Sequence, residues 1–281
     1  MSLTAMQPTA TVDLFPGLSD ELLTLLRQLA PDAWQRSTAC PGWSVKDLVA
    51  HLLGGNIGRL SFGRDHLLRK ESARAPTNNA ELIDWINEQN AAWVQAAERI
   101  SPPVLIDLLA LTDRQVAEFF ATLDMQAPAP ISVGWAGETR SANWFDVGRE
   151  YTEKWFHQQQ IREAVGAPGL IERHWFLPVI EICLRALPYT YQAVAADAGA
   201  TIVVRITGAA GGVWSLVRSD GDWTLYEGEA EAAAAAVQFS DDTAWRLFSK
   251  GLDQAELLRR MQIEGDAALG AKIADLVAIM A

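Results

Sequence analysis

Two of the four histidines, His51 and His157, stand where metal chemistry could be built. Glu153 and His157 are spaced i, i+4, so a helix would stack the carboxylate and the imidazole on one face. Such a pair can bind a metal ion or form an ordinary ion pair on a helix surface. His51 borders an apolar stripe of Val45, Leu48, Val49, Leu52 and Leu53. An inward histidine of that kind is either a hydrogen-bonded core residue or a ligand. Antiparallel helices of a four-helix bundle can project all three side chains to a shared interior point. Two imidazoles and one carboxylate leave a coordination position open, as in catalytic zinc sites, and nickel or non-haem iron accept similar donors.

The elements that must carry these residues are helices. Leu14 to Leu29 has an acidic start and an apolar stripe, and Pro41-Gly42 turns the chain into Ser44, an N-cap answered by Asp47 three residues on. The helix that starts there carries His51. Glu81 to Glu98 and Val104 to Leu123 repeat the helical pattern, divided at Pro102-Pro103. Met125 to Glu138, rich in proline and glycine, reads as a loop. Ser141 to Val165, with Phe145, Tyr151, Trp155, Phe156 and Ile161 apolar, is the helix of Glu153 and His157, and it stops at Gly166-Ala167-Pro168-Gly169. The pattern then changes. After a helix near Ile171 to Ala186, strands are expected at Ala200 to Thr207, Val213 to Arg218 and Trp223 to Tyr226; Ala232 to Phe239 has five alanines that favour helix, but Val237, Phe239 and the Ser-Asp-Asp cap that follows point to a final strand. Helices are expected at Thr243 to Lys250 and Ala267 to Met280. The expected architecture is α plus α+β: a four-helix bundle over residues 1–168, then a smaller domain over 169–281 with an antiparallel sheet and helices.

The remaining chemistry-bearing residues are weaker candidates. His66 lies fifteen residues beyond His51, too far along a continuous helix to share an ion, and His174 reads as structural. Glu150 lies near the Glu153 face and could orient a ligand, whereas Asp146 is expected to face solvent. Arg59 and Arg149 are candidate anchors for an anionic substrate, since each falls on roughly the same helix face as a candidate ligand; Arg162 is a weaker third. Cys40 reads as a small packed residue, so a reactive sulfur would come from outside the chain. Gly54, Gly55 and Gly58 fall inside the second helix, where close helix approach explains them better than phosphate binding.

Composition excludes several classes. With 23 basic against 35 acidic residues and a net charge of −12, the chain has no general electrostatic support for a nucleic-acid partner. No apolar run is long enough for a membrane span, and the first residues lack the pattern of a secretory signal. Two cysteines suit neither a disulfide framework nor a thiolate zinc cluster. The expectation is a soluble cytoplasmic protein acting on a small molecule, with its oligomeric state open.

The run from Thr38 to Leu52, TACPGWSVKDLVAHL, resembles the signature of the mycothiol-dependent maleylpyruvate isomerase family, within the DinB-like superfamily of metal-binding four-helix bundles. The resemblance implies that His51 is a metal ligand. Glu153-Lys154-Trp155-Phe156-His157 resembles the family's Glu-x-x-x-His, which implies Glu153 and His157 as the other two. One departure stands beside the motif: Gln160 occupies a position where many members carry aspartate, which bears on the identity of the substrate, and with Glu150 it is a candidate to support the ligands from behind. The second half is similar, more weakly, to a sterol-carrier-like domain, through its strands and Ile263-Glu264-Gly265-Asp266. The resemblance implies a divalent metal, zinc first, and a low-molecular-weight thiol such as mycothiol. The implied chemistry is isomerisation or S-transfer on a small electrophilic substrate. The alternatives are a metal-water hydrolase and a non-catalytic protein that binds metal or an apolar ligand.

Overall fold

A computed structural model describes residues 3–67 and 79–278. The chain divides into two compact units. One gathers Thr11–Pro130 with Glu153–Gly169; the other gathers Ile131–Thr152, the chain from Leu170 onward to Ala278, and the described residues before Thr11.

The first unit is helical. Helix α1 (Phe15–Gln28) buries Phe15, Leu18, Leu22 and Leu26, a spacing of three and four residues that forms one stripe. Helix α2 (Val45–Gly58) opens on a reciprocal capping box: Asp47 N donates to Ser44 Oγ at 3.3 Å, and Ser44 N donates to Asp47 Oδ2 at 2.9 Å. Such caps stabilise a helix by about 1 kcal/mol and set its starting residue. Val45, Leu48, Val49, Leu52 and Leu53 are buried as their spacing requires. They pack with Trp34, Leu105, Leu109 and Ile161 into one core. Past Gly58 the helix loosens into a π-helical turn, Arg59–Arg64. Helix α3 (Asn79–Ala97) packs on α2. Helix α4 (Pro102–Ala121) begins on its proline, where the missing N–H would lack a helical partner anyway. Helix α5 (Asn143–Val165) buries Phe145, Tyr151, Trp155, Phe156 and Ile161, and the division between the units falls within it, after Thr152.

The second unit is a six-stranded sheet with helices. Helices α6 (Arg173–Leu184) and α7 (Leu187–Tyr191) precede strands β2 (Thr201–Thr207), β3 (Gly212–Ser219), β4 (Asp222–Glu227) and β5 (Ala235–Ser240). Helices α8 (Asp241–Phe248) and α9 (Gln254–Arg259), strand β6 (Gln262–Gly265) and helix α10 (Ala267–Ala271) follow. A two-residue strand β1 (Thr4–Ala5) pairs with β4, giving the order β1-β4-β3-β2-β5-β6. The β3–β4 hairpin turns through Asp220 and Gly221, both at positive φ, which the right-handed twist of its strands favours.

The sheet corrects three sequence expectations. It is mixed rather than antiparallel, because β2 and β5 run parallel, from Ile202 beside Ala235 to Thr207 beside Ser240. Residues 228–234 cross over instead of folding into a hairpin, so the chain enters β5 in the direction of β2. Strand β5 is not the last, since β6 pairs antiparallel with it. Helix α10 ends at Ala271 and passes through a 3-10 turn to an extended Leu276; the part of the expected helix beyond Ala278 lies outside the described residues. Leu269, Ile273 and Leu276 are buried, so apolar spacing that looks helical is satisfied by tertiary packing. Among the described residues no helix is long and apolar enough to cross a membrane.

Candidate metal centre

His51 sits in the second turn of α2, and Glu153 and His157 lie one turn apart on α5. His51 Nε2 and His157 Nε2 each approach the same oxygen, Glu153 Oε1, at 3.0 Å. The imidazole rings stand nearly perpendicular, at 83° with centroids 4.8 Å apart. One donor atom from each residue lies within 4.8 Å of the others. The arrangement goes beyond an i, i+4 ion pair, because a second helix brings a second imidazole to the same carboxylate. Both histidine side chains are 13 % exposed and Glu153 is 39 % exposed, so the cluster is shielded on the imidazole side and open beside the carboxylate.

Burial works against the charge on Glu153, but the imidazoles of His157 and His51 outweigh it and hold the carboxyl well below the usual carboxylate range. Burial likewise opposes protonation of His157; the Glu153 carboxylate overcomes it and raises that imidazole to about 10. Without an ion, then, the cluster is a carboxylate balanced by an imidazolium, and a cation would take the place of that proton.

A second layer fixes His157. Its Nδ1 lies 2.8 Å from Gln160 Oε1, an atom that can only accept, so Nδ1 carries the proton and donates. In the neutral ring this leaves the Nε2 lone pair directed at the cluster, the tautomer that a metal ligand needs. Cys40 Sγ donates to the same amide oxygen at 3.2 Å. The reading of Cys40 as a mere packing residue therefore misses a contact. Thr38 and Trp43 close a turn over Pro41 and Gly42, with Thr38 Oγ1 donating to Trp43 O at 2.9 Å and Gly42 at φ +80°. That turn delivers Cys40 to Gln160 and brings the Trp43 ring within 5.0 Å of His51.

The other sequence candidates have contacts of their own. Arg149 donates to Asp146 Oδ1 at 2.9 Å and to Glu150 Oε1 at 2.8 Å, so Glu150 pairs with an arginine and Asp146 is buried rather than solvent-facing. Arg59 is buried with its guanidinium 5.9 Å from the Phe120 ring centre, about 12 Å along the helix from His51 at 1.5 Å per residue. Arg162 donates to Glu21 Oε2 at 2.8 Å and to Pro168 O at 3.0 Å. His66 and His174 are not part of the cluster. Gly54 meets the Trp93 ring, a Cβ there falling 2.6 Å from it, whereas Gly55 and Gly58 have nothing within 4 Å; close approach explains the first alone.

The helical region carries a match to the family model for the mycothiol maleylpyruvate isomerase N-terminal domain over residues 15–162, more than half of the chain. The chain belongs to that family. A second model, of the SCP-2 sterol transfer family, matches residues 181–278. Among solved structures, that of the mycothiol-dependent maleylpyruvate isomerase is similar at 11% identity and TM-score 0.51, covering 86% of this chain and 88% of its own. A histidine-to-alanine mutant of the same enzyme is similar at 10% identity and TM-score 0.52, with the same coverage. At these identities the likeness shows a shared fold. No curated protein matches the chain.

Proposed function

We propose that this family member is a divalent-metal and thiol-dependent isomerase or transferase, with His51, Glu153 and His157 as the ligands. The observation that carries the reading is the convergence of two Nε2 atoms and a carboxylate oxygen within 4.8 Å, on two helices inside the family-matched region. The donor set suits zinc first, with nickel and iron as related choices. An ion in such a site supplies Lewis acidity, which lowers the pKa of a thiol and favours its nucleophilic form at neutral pH.

The chain's own residues prepare the site. Gln160 keeps the His157 proton on Nδ1, Cys40 holds the Gln160 amide oxygen from its other side, and the exposed edge of Glu153 leaves an approach for a thiol and a substrate. The thiol is a separate small molecule, of the mycothiol class by analogy with the solved relative's name. The substrate class is a small electrophilic unsaturated acid. Addition of the thiol's sulfur to one carbon of the double bond and of a proton to the other, rotation about the resulting single bond, and elimination of the thiol with loss of a proton from that other carbon return the isomer with no net change in atoms. Addition without elimination is S-transfer. The proposal places the functional division of the chain near Pro168-Gly169 and the protein in the cytoplasm.

The test is turnover of maleylpyruvate by zinc-loaded protein with and without mycothiol. Isomerisation that requires both zinc and thiol is the expected result. Thiol-independent consumption of substrate would favour a hydrolase, and no turnover of it or of related electrophiles would overturn the catalytic reading.

A further inference from the structure

A second polar cluster lies inside the helical unit, and no motif announces it. Lys154 Nζ donates to Asn56 Oδ1 at 2.6 Å and to Asp113 Oδ1 at 2.7 Å. Asn56 Nδ2 donates to Asp113 Oδ1 at 2.9 Å and to Thr112 Oγ1 at 3.0 Å, while Ser19 Oγ donates to Asp113 Oδ2 at 2.8 Å. Asn56 is 1 % exposed, and Asp113 and Thr112 are buried. The network therefore joins α1, α2, α4 and α5 with one balanced ion pair at its centre.

We propose that Asn56, Asp113 and Lys154 are positioning residues for the metal cluster, fixing the rotation of α5 against α2. The inference rests on the metal reading given above. Lys154 follows Glu153 directly, so the two side chains leave α5 about 100° apart. Each reaches α2: Glu153 meets His51, and Lys154 meets Asn56 five residues further on. Contacts on both sides of the line between two helices oppose rotation in either direction, which one contact alone cannot do. A carboxylate about 6 Å from its helix axis moves by about 1 Å when the helix turns by about 10°. Metal–ligand distances tolerate only about 0.2 Å, so the register matters more to the ion than to the fold. A buried ion pair can commonly be replaced by apolar residues of similar volume without loss of stability. What this one adds is a single register.

The test compares zinc affinity, by competition with a chromophoric chelator, with thermal unfolding of the full chain. Two variants are used: Asn56→Leu, which cuts the α2–α5 tie and leaves the Asp113–Lys154 pair, and the double variant Lys154→Met, Asp113→Leu, which removes both charges together. Expected is zinc affinity at least about 10-fold weaker in both, the size usual for residues that act on a metal through its ligands, with a cooperative melting transition retained in each variant. A folded Asn56→Leu or double variant that binds zinc as tightly as the parent overturns the inference while leaving the metal reading intact. A parent that binds no zinc overturns both.

Discussion

Gly54 and Gly55 are neighbours on α2, one turn beyond His51, and their replacement by alanine separates helix propensity from packing. Both substitutions gain about 1 kcal/mol from propensity. Gly55 is exposed with nothing within 4 Å of a built Cβ, so Gly55→Ala keeps that gain. At Gly54 the new carbon falls 2.6 Å from the Trp93 ring, whose Nε1 donates to Ala50 O at 2.7 Å. The ring cannot retreat without weakening that bond. Overpacking costs about 1–3 kcal/mol and the strained hydrogen bond about 1 kcal/mol more, so Gly54→Ala is expected to destabilise by about 1–3 kcal/mol net. The two variants thus differ by about 2–4 kcal/mol. With a urea slope near 3 kcal/mol/M, their unfolding midpoints by far-ultraviolet circular dichroism should stand about 1 M apart, on opposite sides of the parent. Coincident midpoints would refute the claim that α2 and α3 are in contact at Gly54.

Two further outcomes follow from the site. Gln160→Leu removes the acceptor that holds the His157 proton on Nδ1, and zinc affinity should fall about 10- to 100-fold; unchanged affinity in competition titration would show that Gln160 does not orient the ring. In metal-free protein, His157 has a raised value, so its contribution to stability is full below about 6.5, its unfolded value, and is lost as pH rises through about 10. Glu153 is lowered, so its contribution is present above the ordinary carboxylate value and is lost as pH falls. The difference in urea midpoint between parent and His157→Ala should therefore shrink from pH 7 to 10, and a constant difference would contradict the coupling.

Local signals carried much of this fold. The Ser44–Asp47 capping box and the stripe from Val45 to Leu53 gave both the start and the inward face of α2, and i, i+4 spacing put Glu153 beside His157. What spacing could not supply was that His51 reaches the same carboxylate oxygen across a separation of 102 residues. The family signature bridged that gap. Nothing comparable marked Asn56, Asp113 and Lys154, whose contacts join residues 41 and 98 apart and whose types are ordinary on helix surfaces. The parallel pairing of β5 and the recruitment of β1 and β6 were hidden for the same reason, since strand neighbours are chosen by long-range packing. Arg149 and Glu150 share the helical face of Glu153 by spacing, and what spacing could not supply is the pairing with each other and with the buried Asp146 that the fold adds.

The most direct measurement is metal content per chain in protein purified without chelator or nickel affinity, beside the His157→Ala variant. The account predicts close to one divalent ion per chain in the parent and far less in the variant, with the parent refilled by zinc after stripping. No metal in the parent even after incubation with zinc, or equal metal in both proteins, would contradict it.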